Sequence, residues 1–206
     1  MCYAYFKQKE TEAMARKKEF DKEVVLTKAM QTFWQHGYEA TSMQQLVSSM
    51  GINRGSLYDT FGDKRSLFLA AIAHYESTVV KKMTACLSQP DADLQTIVAL
   101  FDCFVDTIVD EQGCYGCLIT NTAVELCPHD PETQRKIAQS FAQMTFTLQK
   151  TLKNAQAKEQ ISQSKDPQAL ANYLTSSLQG LRVLGKVNRD RQTLENIVAI
   201  ILASLD

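Results

Sequence analysis

Apolar side chains recur at intervals of three and four residues along almost the whole sequence, and strand-like alternation of apolar and polar residues is nearly absent. This spacing places apolar side chains on one face of an α-helix. One stretch comprises Leu94, Ile97, Val98, Phe101, Phe104, Val105, Ile108 and Val109, and another comprises Leu194, Ile197, Val198, Ile201 and Leu205. The pattern therefore predicts an all-α protein.

Signals for helix starts divide this pattern into about nine segments. Asp130 and Asp166 each precede a proline, and an aspartate cap followed by proline at the first helical position is a typical helix start. Asp190 stands before another apolar-periodic stretch. The predicted helices cover residues 14–36, 42–50, 54–61, 64–87, 92–110, 116–126, 131–157, 167–186 and 191–205. Short helices come early and long ones late, which indicates a small head on a larger helical bundle.

We therefore divide the sequence into a flexible arm at residues 1–13, a three-helix head at 14–63 and a helical body at 64–206. The 206 residues are enough to bury a core. From Met1 to Lys82 there are 12 Lys and Arg against 9 Asp and Glu, and from Met83 onward there are 10 against 14. Only the first part is mildly suited to binding phosphate groups.

No apolar stretch approaches the roughly 18 residues that a membrane-spanning helix needs. The sequence does not begin with a secretory leader pattern, so we expect a cytoplasmic protein without a membrane partner. In a reducing compartment its cysteines are expected to be free thiols, metal ligands or redox groups rather than structural disulfides. They are Cys2, Cys86, Cys103, Cys114, Cys117 and Cys127.

The densest pattern lies in residues 37–67 and predicts a helix-turn-helix. Thr41 or Ser42 is placed to cap a short helix, Gly51 to end it and Asn53 to cap the next helix after a few residues. Two helices joined by a glycine turn of this length form a helix-turn-helix, whose second helix enters the major groove N-terminus first. We therefore expect this segment to bind double-stranded operator DNA.

The second helix of this motif carries residue types suited to DNA. Arg54 can donate two hydrogen bonds to the O6 and N7 atoms of guanine, and Ser56 can contact either base pair. Gly55 is a poor helix former, which fits a backbone that approaches another surface closely. Lys64 begins the next helix, where free amides favour an anion. The predicted DNA-binding residues are Thr41, Ser42, Arg54, Gly55, Ser56, Tyr58, Asp59, Thr60 and Lys64.

These residues resemble the head of the TetR family of regulators, with its pattern F-x3-G-(x)-T-x4-L/I-x4-G-(x3)-G-x-L-Y-x-x-F-x-x-K-x-x-L. The matching positions are Phe33, Gly37, Thr41, Leu46, Gly51, Gly55, Leu57, Tyr58, Phe61, Lys64 and Leu67. Asp59 departs from the family, which often has an aromatic or another neutral residue there; an acid repels phosphate but can accept from cytosine N4. The resemblance implies a homodimer built on the last two helices, a ligand pocket in the body, and repression relieved when a ligand spreads the two heads.

The last two predicted helices carry more apolar surface than one subunit obviously needs. A large apolar patch usually binds a partner, and pairing with a second copy as a four-helix bundle would bury it. The residues concerned are Leu170, Leu174, Leu178, Leu181, Leu194, Ile197, Ile201 and Leu205. The remaining pocket wall is expected to be apolar and aromatic, with candidates Phe101, Phe104, Phe141, Met144, Phe146 and Tyr173.

The segment from Gly113 to His129 looks like the G-C-L/F-x-x-N motif of one TetR subgroup. On a helix, Cys117 and Asn121 share a face, and the positive end of the helix dipole favours a thiolate at Cys117. Some relatives with this motif respond to electrophiles or oxidants through that cysteine. The hypothesis is that alkylation or oxidation of Cys117 releases DNA, with Lys186 near enough to stabilise the thiolate. The predicted sensor residues are Cys117, Asn121, Phe104, Cys103 and Lys186.

Other interpretations of the cysteines remain open. They can be small buried hydrophobic residues, which free cysteine often is. A metal-responsive regulator of the same fold would use Cys114, Cys117, Cys127 and His129, but the second half of a zinc site is absent, so we predict no bound metal or cofactor. A cysteine-based oxidoreductase would need a βαβ context that this helical pattern lacks.

Two further classes of protein compete with a regulator. An enzyme is disfavoured because the sequence has no H-E-x-x-H, no phosphate-binding glycine loop and no G-x-S-x-G, so we predict no catalytic residue. A helical protein-interaction module that merely contains a helix-turn-helix is the second alternative. Salt-dependent binding to DNA distinguishes a regulator from such a module.

Overall fold

The computed structural model describes residues 20–110 and 114–206. The predicted arm at residues 1–13, the predicted start of the first helix at residue 14, Cys2 and Gly113 lie outside the described residues.

Helices joined by short turns and loops build the described chain, and none of its residues forms a β-strand. Nine α-helices have eight residues or more within these two ranges, as predicted. They are α1 (Lys22–His36), α2 (Met43–Met50), α3 (Arg54–Phe61), α4 (Lys64–Tyr75), α5 (Leu94–Val109), α6 (Leu118–Glu125), α7 (Pro131–Ala157), α8 (Pro167–Leu184) and α9 (Arg191–Ala203). None of the described helices has both the length and the apolar character that crossing a bilayer demands.

The predicted caps at Asp130, Asp166 and Asp190 are confirmed, since each side chain accepts hydrogen bonds from amides in the first turn of its helix. The single helix predicted over residues 64–87 is helical as far as Met83, but its type changes in the second half. After α4 the chain continues as a π-helical segment (Glu76–Val80), one α-helical turn (Lys81–Met83) and a 3-10 turn (Ala85–Ser88).

Two side-chain hydrogen bonds accompany the change of helix type after α4. The hydroxyls of Ser77 and Thr78 both donate to the carbonyl oxygen of His74, at 3.0 and 2.6 Å, and so compete with the backbone for that acceptor. A π-helical turn within a helix is often found at functional sites. Here it lies on the connection between head and body.

The head core packs α1, α2, α3 and α4 around large apolar side chains. Phe33 meets Phe68 edge to face with ring centroids 4.9 Å apart. Burial of each such side chain contributes about 1.5–3 kcal/mol. The same cluster continues into α6 and α7 through Cys117, Leu118, Ile119 and Ile137. Helix α6 is therefore packed as part of the head core, although it comes much later in the sequence.

The body core lies between α5, α7, α8 and α9 and includes Phe101, Phe104 and Leu178. Helix α8 approaches α5 closely where its C-terminus reaches Gly185. A Cβ atom at Gly185 would lie 2.3 Å from Ile108 Cγ2, so no larger residue fits there without movement of the two helices. This contact holds the last turn of α8 against α5.

Most of the apolar residues predicted to form a dimer surface lie inside the subunit. Leu174, Leu178, Leu181, Leu194, Ile201 and Leu205 are buried in the body core, and Leu170 and Ile197 pack against it. The predicted apolar excess is wrong for the six buried residues, because they fill the core of their own subunit. The exposed apolar side chains on α8, the turn after it and α9 are Tyr173, Val183, Val187 and Ile200.

Candidate nucleic-acid interface and body cavity

Helices α2 and α3 form a helix-turn-helix with well-defined caps. The Gln45 amide donates to Ser42 Oγ at 3.1 Å, and the Ser42 amide donates to Gln45 Oε1 at 2.8 Å. Gly51 ends α2 in the left-handed region with a φ of 69°. Asn53 caps α3 by accepting from the Ser56 amide at 2.8 Å. The cap of α2 is therefore Ser42 rather than Thr41.

Helix α3 presents one face to the head core and the other to solvent. Leu57 and Phe61 are buried, whereas Arg54, Gly55, Tyr58 and Asp59 are exposed and Ser56 is half-buried. Arg54 Nη2 donates to Tyr58 Oη at 3.4 Å, and its guanidinium lies 5.7 Å from the centre of the Tyr58 ring. A short helix with an exposed polar face and a basic first residue fits the major groove.

Two predicted DNA contacts have side chains that point inward. Thr41 is fully buried, and its hydroxyl donates to the carbonyl oxygen of Gly37. The Thr60 hydroxyl is also buried and has no hydrogen-bond partner among the described residues. We correct the predicted DNA-binding set by removing both side chains, because neither hydroxyl reaches the surface.

Lys64 lies at the junction of α3 and α4 and is half-buried. Its Nζ is 4.4 Å from the centre of the Tyr38 ring and 3.5 Å from the carbonyl oxygen of Glu39. The predicted anion site at the start of α4 is partly filled by Asp63, whose carboxylate accepts from the Ser66 amide at 2.7 Å. This hydrogen bond lowers the pKa of Asp63. A phosphate here would therefore be met by the Lys64 ammonium more than by the helix amides.

Helix α6 is attached to the head at both of its ends. Before its first turn, the carbonyl oxygen of Gly116 accepts from Trp34 Nε1 at 3.1 Å. At its last residue, the Glu125 carboxylate accepts from the backbone amides of Tyr38 and Glu39 at 3.0 and 2.8 Å. Gly37 makes room for this carboxylate, because it has a φ of 81° and a Cβ there would lie 3.0 Å from Glu125 Oε2.

A second attachment joins α4 to the start of α7. The Arg65 guanidinium forms a two-pronged ion pair with Asp130 and a further one with Glu132 at 2.9 Å. The hydrogen bond from Arg65 holds the pKa of Asp130 well below its usual range, and hydrogen bonds from Thr133 act in the same direction. The ion pair is half-exposed, so it fixes geometry more than it adds stability.

A cavity of about 320 Å³ lies in the body beside α6 and the π-helical segment. Its wall includes Glu76, Val80, Phe104, Cys117, Phe141 and Met144. Of the residues predicted for the pocket wall, Phe104, Phe141 and Met144 line this cavity, and so does the predicted sensor residue Cys117. The predicted wall positions of Phe146 and Tyr173 are corrected, since both are exposed on the surface, and Phe101 belongs to the body core.

A second cavity of about 390 Å³ lies next to the first, and its wall includes Trp34, Tyr75 and Gly116. Met83 and Arg182 line both cavities, so these two side chains form the partition between them. The predicted sensor residue Cys103 is exposed and lines the second cavity rather than the first.

Cys117 occupies the cap position of α6 and is buried, with 5% of its surface exposed. It lies beside the hydroxyl of Tyr75, which is buried and has no hydrogen-bond partner of good geometry within the described chain. Burial raises the pKa of the Tyr75 phenol, and the neighbouring Cys117 raises it further. The Cys117 side chain is therefore almost enclosed, and it forms part of the cavity wall.

Asn121 and Lys186 interact with each other and not with the thiol. Lys186 Nζ donates to Asn121 Oδ1 at 3.1 Å, and Asn121 Nδ2 donates to the carbonyl oxygen of Tyr115 at 2.9 Å. The predicted approach of Lys186 to Cys117 is corrected accordingly, because its exposed ammonium is held by the Asn121 amide. Asn121 thus fixes the loop before α6 instead of facing the cavity.

Two functional candidates were not singled out from the sequence: Arg182 in the cavity wall and Glu125 at the head. Arg182 is 8% exposed and follows Leu174 and Leu178 at steps of four, a charged residue on an apolar helix face. That departure from the apolar pattern was the available signal. Nothing in the sequence indicated that Glu125 would meet the loop after α1, because that contact depends on tertiary packing.

The residues predicted for a metal site are not assembled into one. Across residues 20–110 and 114–206, no group of three or more His, Cys, Asp and Glu side chains is placed to hold a metal ion. The alternative based on Cys114, Cys117, Cys127 and His129 therefore has no ligand cluster within these residues.

Two family profiles match the chain. The profile described as "Bacterial regulatory proteins, tetR family" matches residues 25–71, and the one described as "Tetracyclin repressor-like, C-terminal domain" matches residues 94–201. Together they cover well over half of the chain. The first matches the region of the helix-turn-helix, and the second matches the body.

Individual proteins give the same result. YezE of Bacillus subtilis (strain 168), an HTH-type transcriptional regulator, is 36% identical over 194 residues, which cover 94% of this chain and 100% of YezE. The HTH-type transcriptional repressor ComR of Escherichia coli (strain K12) is 31% identical over 186 residues, 90% of this chain and 87% of ComR. A cysteine-substituted form of the TetR family regulator CifR, solved with 26-bp double-strand operator DNA, is 26% identical with a TM-score of 0.82, covering 93% of this chain and 100% of CifR.

Proposed function

Since the chain belongs to the TetR family of bacterial transcriptional regulators, we propose that it is a homodimeric repressor that leaves operator DNA when its body cavity is occupied or modified. It is a DNA-binding protein, as its family is, and would act in the cytoplasm, where the chromosome lies. The observation that carries the proposal is the exposed polar face of α3 on a capped helix-turn-helix. We assign residues 14–63 to DNA binding and 64–206 to sensing and dimerisation.

We assign base contacts to the first turn of α3 and phosphate contacts to its flanks. Arg54 and Ser56 would face base edges, and Asp59 would accept from cytosine N4. Tyr58 and Lys64 would meet phosphates, and the absence of a Cβ at Gly55 lets the backbone approach the groove. Ser42 at the start of α2 completes the set. The complex of CifR with operator DNA supports this docking for a chain of the same fold.

The direct test is selection of bound sites from random double-stranded DNA, followed by affinity measurements at several salt concentrations. A regulator yields a two-fold symmetric sequence and an affinity that falls steeply as salt rises. Arg54→Ala should lower discrimination at one base position by about 1–3 kcal/mol, whereas Lys64→Ala should weaken binding to all sequences alike. Lys150→Ala, at an exposed position in the body, is the control. If both head variants bind like the control, α3 is not the recognition helix.

For the dimer we propose pairing of α8 and α9 with the same helices of a second copy. The support is the apolar surface left exposed there, at Tyr173, Val183, Val187 and Ile200. Gly180 adds a site of close approach, since a Cβ there would meet nothing within 4 Å in the subunit. Sedimentation of Val183→Asp and Ile200→Asp should give monomers; sedimentation as dimers would place the interface elsewhere.

We further propose that Cys117 senses electrophiles or oxidants, in keeping with the resemblance of residues 113–129 to the subgroup motif. Cys117 lies in the cavity wall, at the end of α6 that borders the cavity. An adduct on its sulfur would have to occupy the cavity or displace α6. Operator release by N-ethylmaleimide should be lost in Cys117→Ser and retained in Cys103→Ser, whose thiol is exposed. Unchanged sensitivity of Cys117→Ser would refute thiol sensing.

Helix α6 gives this sensor a route to the head. A shift at its first turn is carried over eight residues to Glu125, which holds the amides of Tyr38 and Glu39. The Tyr38 ring in turn lies under the Lys64 ammonium. We infer that displacement of α6 moves the loop before α2 and the phosphate-contacting lysine together, which changes the placement of the head on DNA.

A further inference from the structure

Arg182 places a permanent positive charge in the wall of the first cavity. A guanidinium keeps its proton under all conditions that proteins experience. The side chain is more than nine-tenths buried. Its Nη2 donates to Met83 Sδ at 2.9 Å, and its guanidinium carbon lies 4.4 Å from the centre of the Phe104 ring.

Among the residues that the structure describes, no anion is paired with this charge. Within residues 20–110 and 114–206, no carboxylate forms an ion pair with Arg182. A thioether sulfur is a weak acceptor, and a ring face compensates only part of a desolvated charge. A buried cation with so little compensation is unfavourable for the protein alone and favourable once an anion joins it.

The other charges around the cavity orient such an anion. Glu76 is the acidic residue of its described wall; it is half-buried and accepts from the Ser140 hydroxyl. Lys81 is exposed at the rim. A negative group is therefore repelled from Glu76 and drawn to Arg182, while most of the remaining wall surface is apolar.

We propose that this cavity binds a monocarboxylate with a hydrocarbon body, its carboxylate paired with Arg182 and its chain against Phe104, Phe141 and Met144. The proposal rests on the cavity being the effector site of the regulator proposed above. A guanidinium matches the two oxygens of a carboxylate in a two-pronged pair. The volume of about 320 Å³ suits a small molecule at the lower end of the usual range for ligand pockets.

Binding of the acid would also act on the partition between the two cavities. The carboxylate takes the place of the Met83 sulfur at the guanidinium, which frees Met83 from Arg182. Met83 ends the α-helical turn that continues α4 and its π-helical segment. A ligand in the cavity thus changes the contacts of the segment that connects the head to the body.

The test is isothermal titration calorimetry of the full-length protein with hexanoate, octanoate and decanoate and with the matching neutral amides. At least one acid should bind about 10- to 100-fold more tightly than its amide, because an amide cannot form the charged pair. Arg182→Gln should reduce the affinity for that acid by a similar factor and leave the affinity for the amide nearly unchanged. Arg135→Gln, on the exposed surface of α7, should bind both ligands like the unaltered protein.

Equal affinities for acid and amide, or no binding by any of the three acids, would overturn the proposal even if Arg182→Gln does not fold. So would retention of the acid preference in a folded Arg182→Gln protein. Operator binding by the ligand-free protein is measured separately. If the ligand-free protein does not bind operator DNA, the proposed regulator function is refuted. Acid binding without operator binding would leave the carboxylate site intact and remove only its role as an effector site.

Discussion

The head and the body are both helical, but they assemble their candidate functional side chains in different ways. In the head, the proposed DNA contacts from Arg54 to Lys64 follow one another along α3 and the start of α4. In the body, the wall of the first cavity draws on residues from Glu76 to Arg182, which meet only when α5, α6, α7, α8 and the segment after α4 pack together. A site on one helix depends on that helix and its caps, whereas a cavity can change its ligand through single wall residues while the fold remains.

Helix α6 belongs to both regions. Its apolar side chains are part of the head core, its first turn borders the cavity and its last residue binds the loop before α2. The difference between head and body therefore does not separate them mechanically. The experiments below test how far the two regions depend on each other.

The largest expected effect is on the core that the head shares with α6. Phe33→Ala should lower the free energy of unfolding by about 3–5 kcal/mol, because it opens a cavity where Phe33 packs against Phe68. Phe146→Ala removes the same side chain from an exposed position in α7 and should change stability by no more than about 0.5 kcal/mol. Urea unfolding of both variants measures the difference. Similar losses for the two would contradict the packing described for the head.

A smaller effect is expected where α6 holds the head. Glu125→Gln keeps the size of the side chain but replaces two charge-assisted hydrogen bonds to the amides of Tyr38 and Glu39. Operator affinity should fall about 10- to 100-fold, in line with the strength of hydrogen bonds to charged groups. Fluorescence anisotropy with labelled operator measures it, with Glu159→Gln on the body surface as the control. An operator affinity equal to that of the control would show that the contact of α6 with the head does not affect DNA binding.

Replacement by methionine should affect the stability of the protein differently at Arg65 and at Arg182. Arg65→Met leaves Asp130 without its partner and should lower stability by about 1 kcal/mol, since the pair is half-exposed. Arg182→Met leaves no described carboxylate unpaired and removes a desolvated charge, so stability should stay the same or rise by about 1 kcal/mol. Thermal unfolding compares them. A larger loss at Arg182 than at Arg65 would assign Arg182 a structural role.

The smallest expected effect is on the stability of the protein at acidic pH. The pKa of Asp130 is lowered in the folded state by Arg65, so its ion pair contributes stability that is fully present above the pKa of an unfolded aspartate, about 3.9. That contribution is lost as the pH falls from about 4 towards the lower folded pKa. Between pH 5 and 3 the free energy of unfolding should therefore fall less in Asp130→Asn than in the unaltered protein. The difference should be roughly the contribution of one half-exposed ion pair. An equal loss of stability in the two proteins over this pH range would contradict the contribution assigned to the Asp130 ion pair.

What the sequence predicted well is local in origin. Helix spacing, the caps at Ser42, Asn53 and Asp130, and the inward face of α3 depend on neighbours within a few positions. The errors arise where distant residues decide. Leu174 and Leu178 are needed inside their own subunit, and Lys186 finds the Asn121 amide instead of the Cys117 sulfur. The pairing of Glu125 with Tyr38 and Glu39 joins residues that no helical period relates.

The central claim is that α6 transmits changes at the cavity to the head. The most direct test is hydrogen exchange at the backbone amides of Tyr38 and Glu39, which Glu125 protects, before and after treatment with N-ethylmaleimide, with Cys117→Ser treated in parallel. Modification of Cys117 should speed exchange at both amides in the unaltered protein but not in Cys117→Ser. Unchanged exchange at these amides after complete modification of Cys117 would contradict the claim.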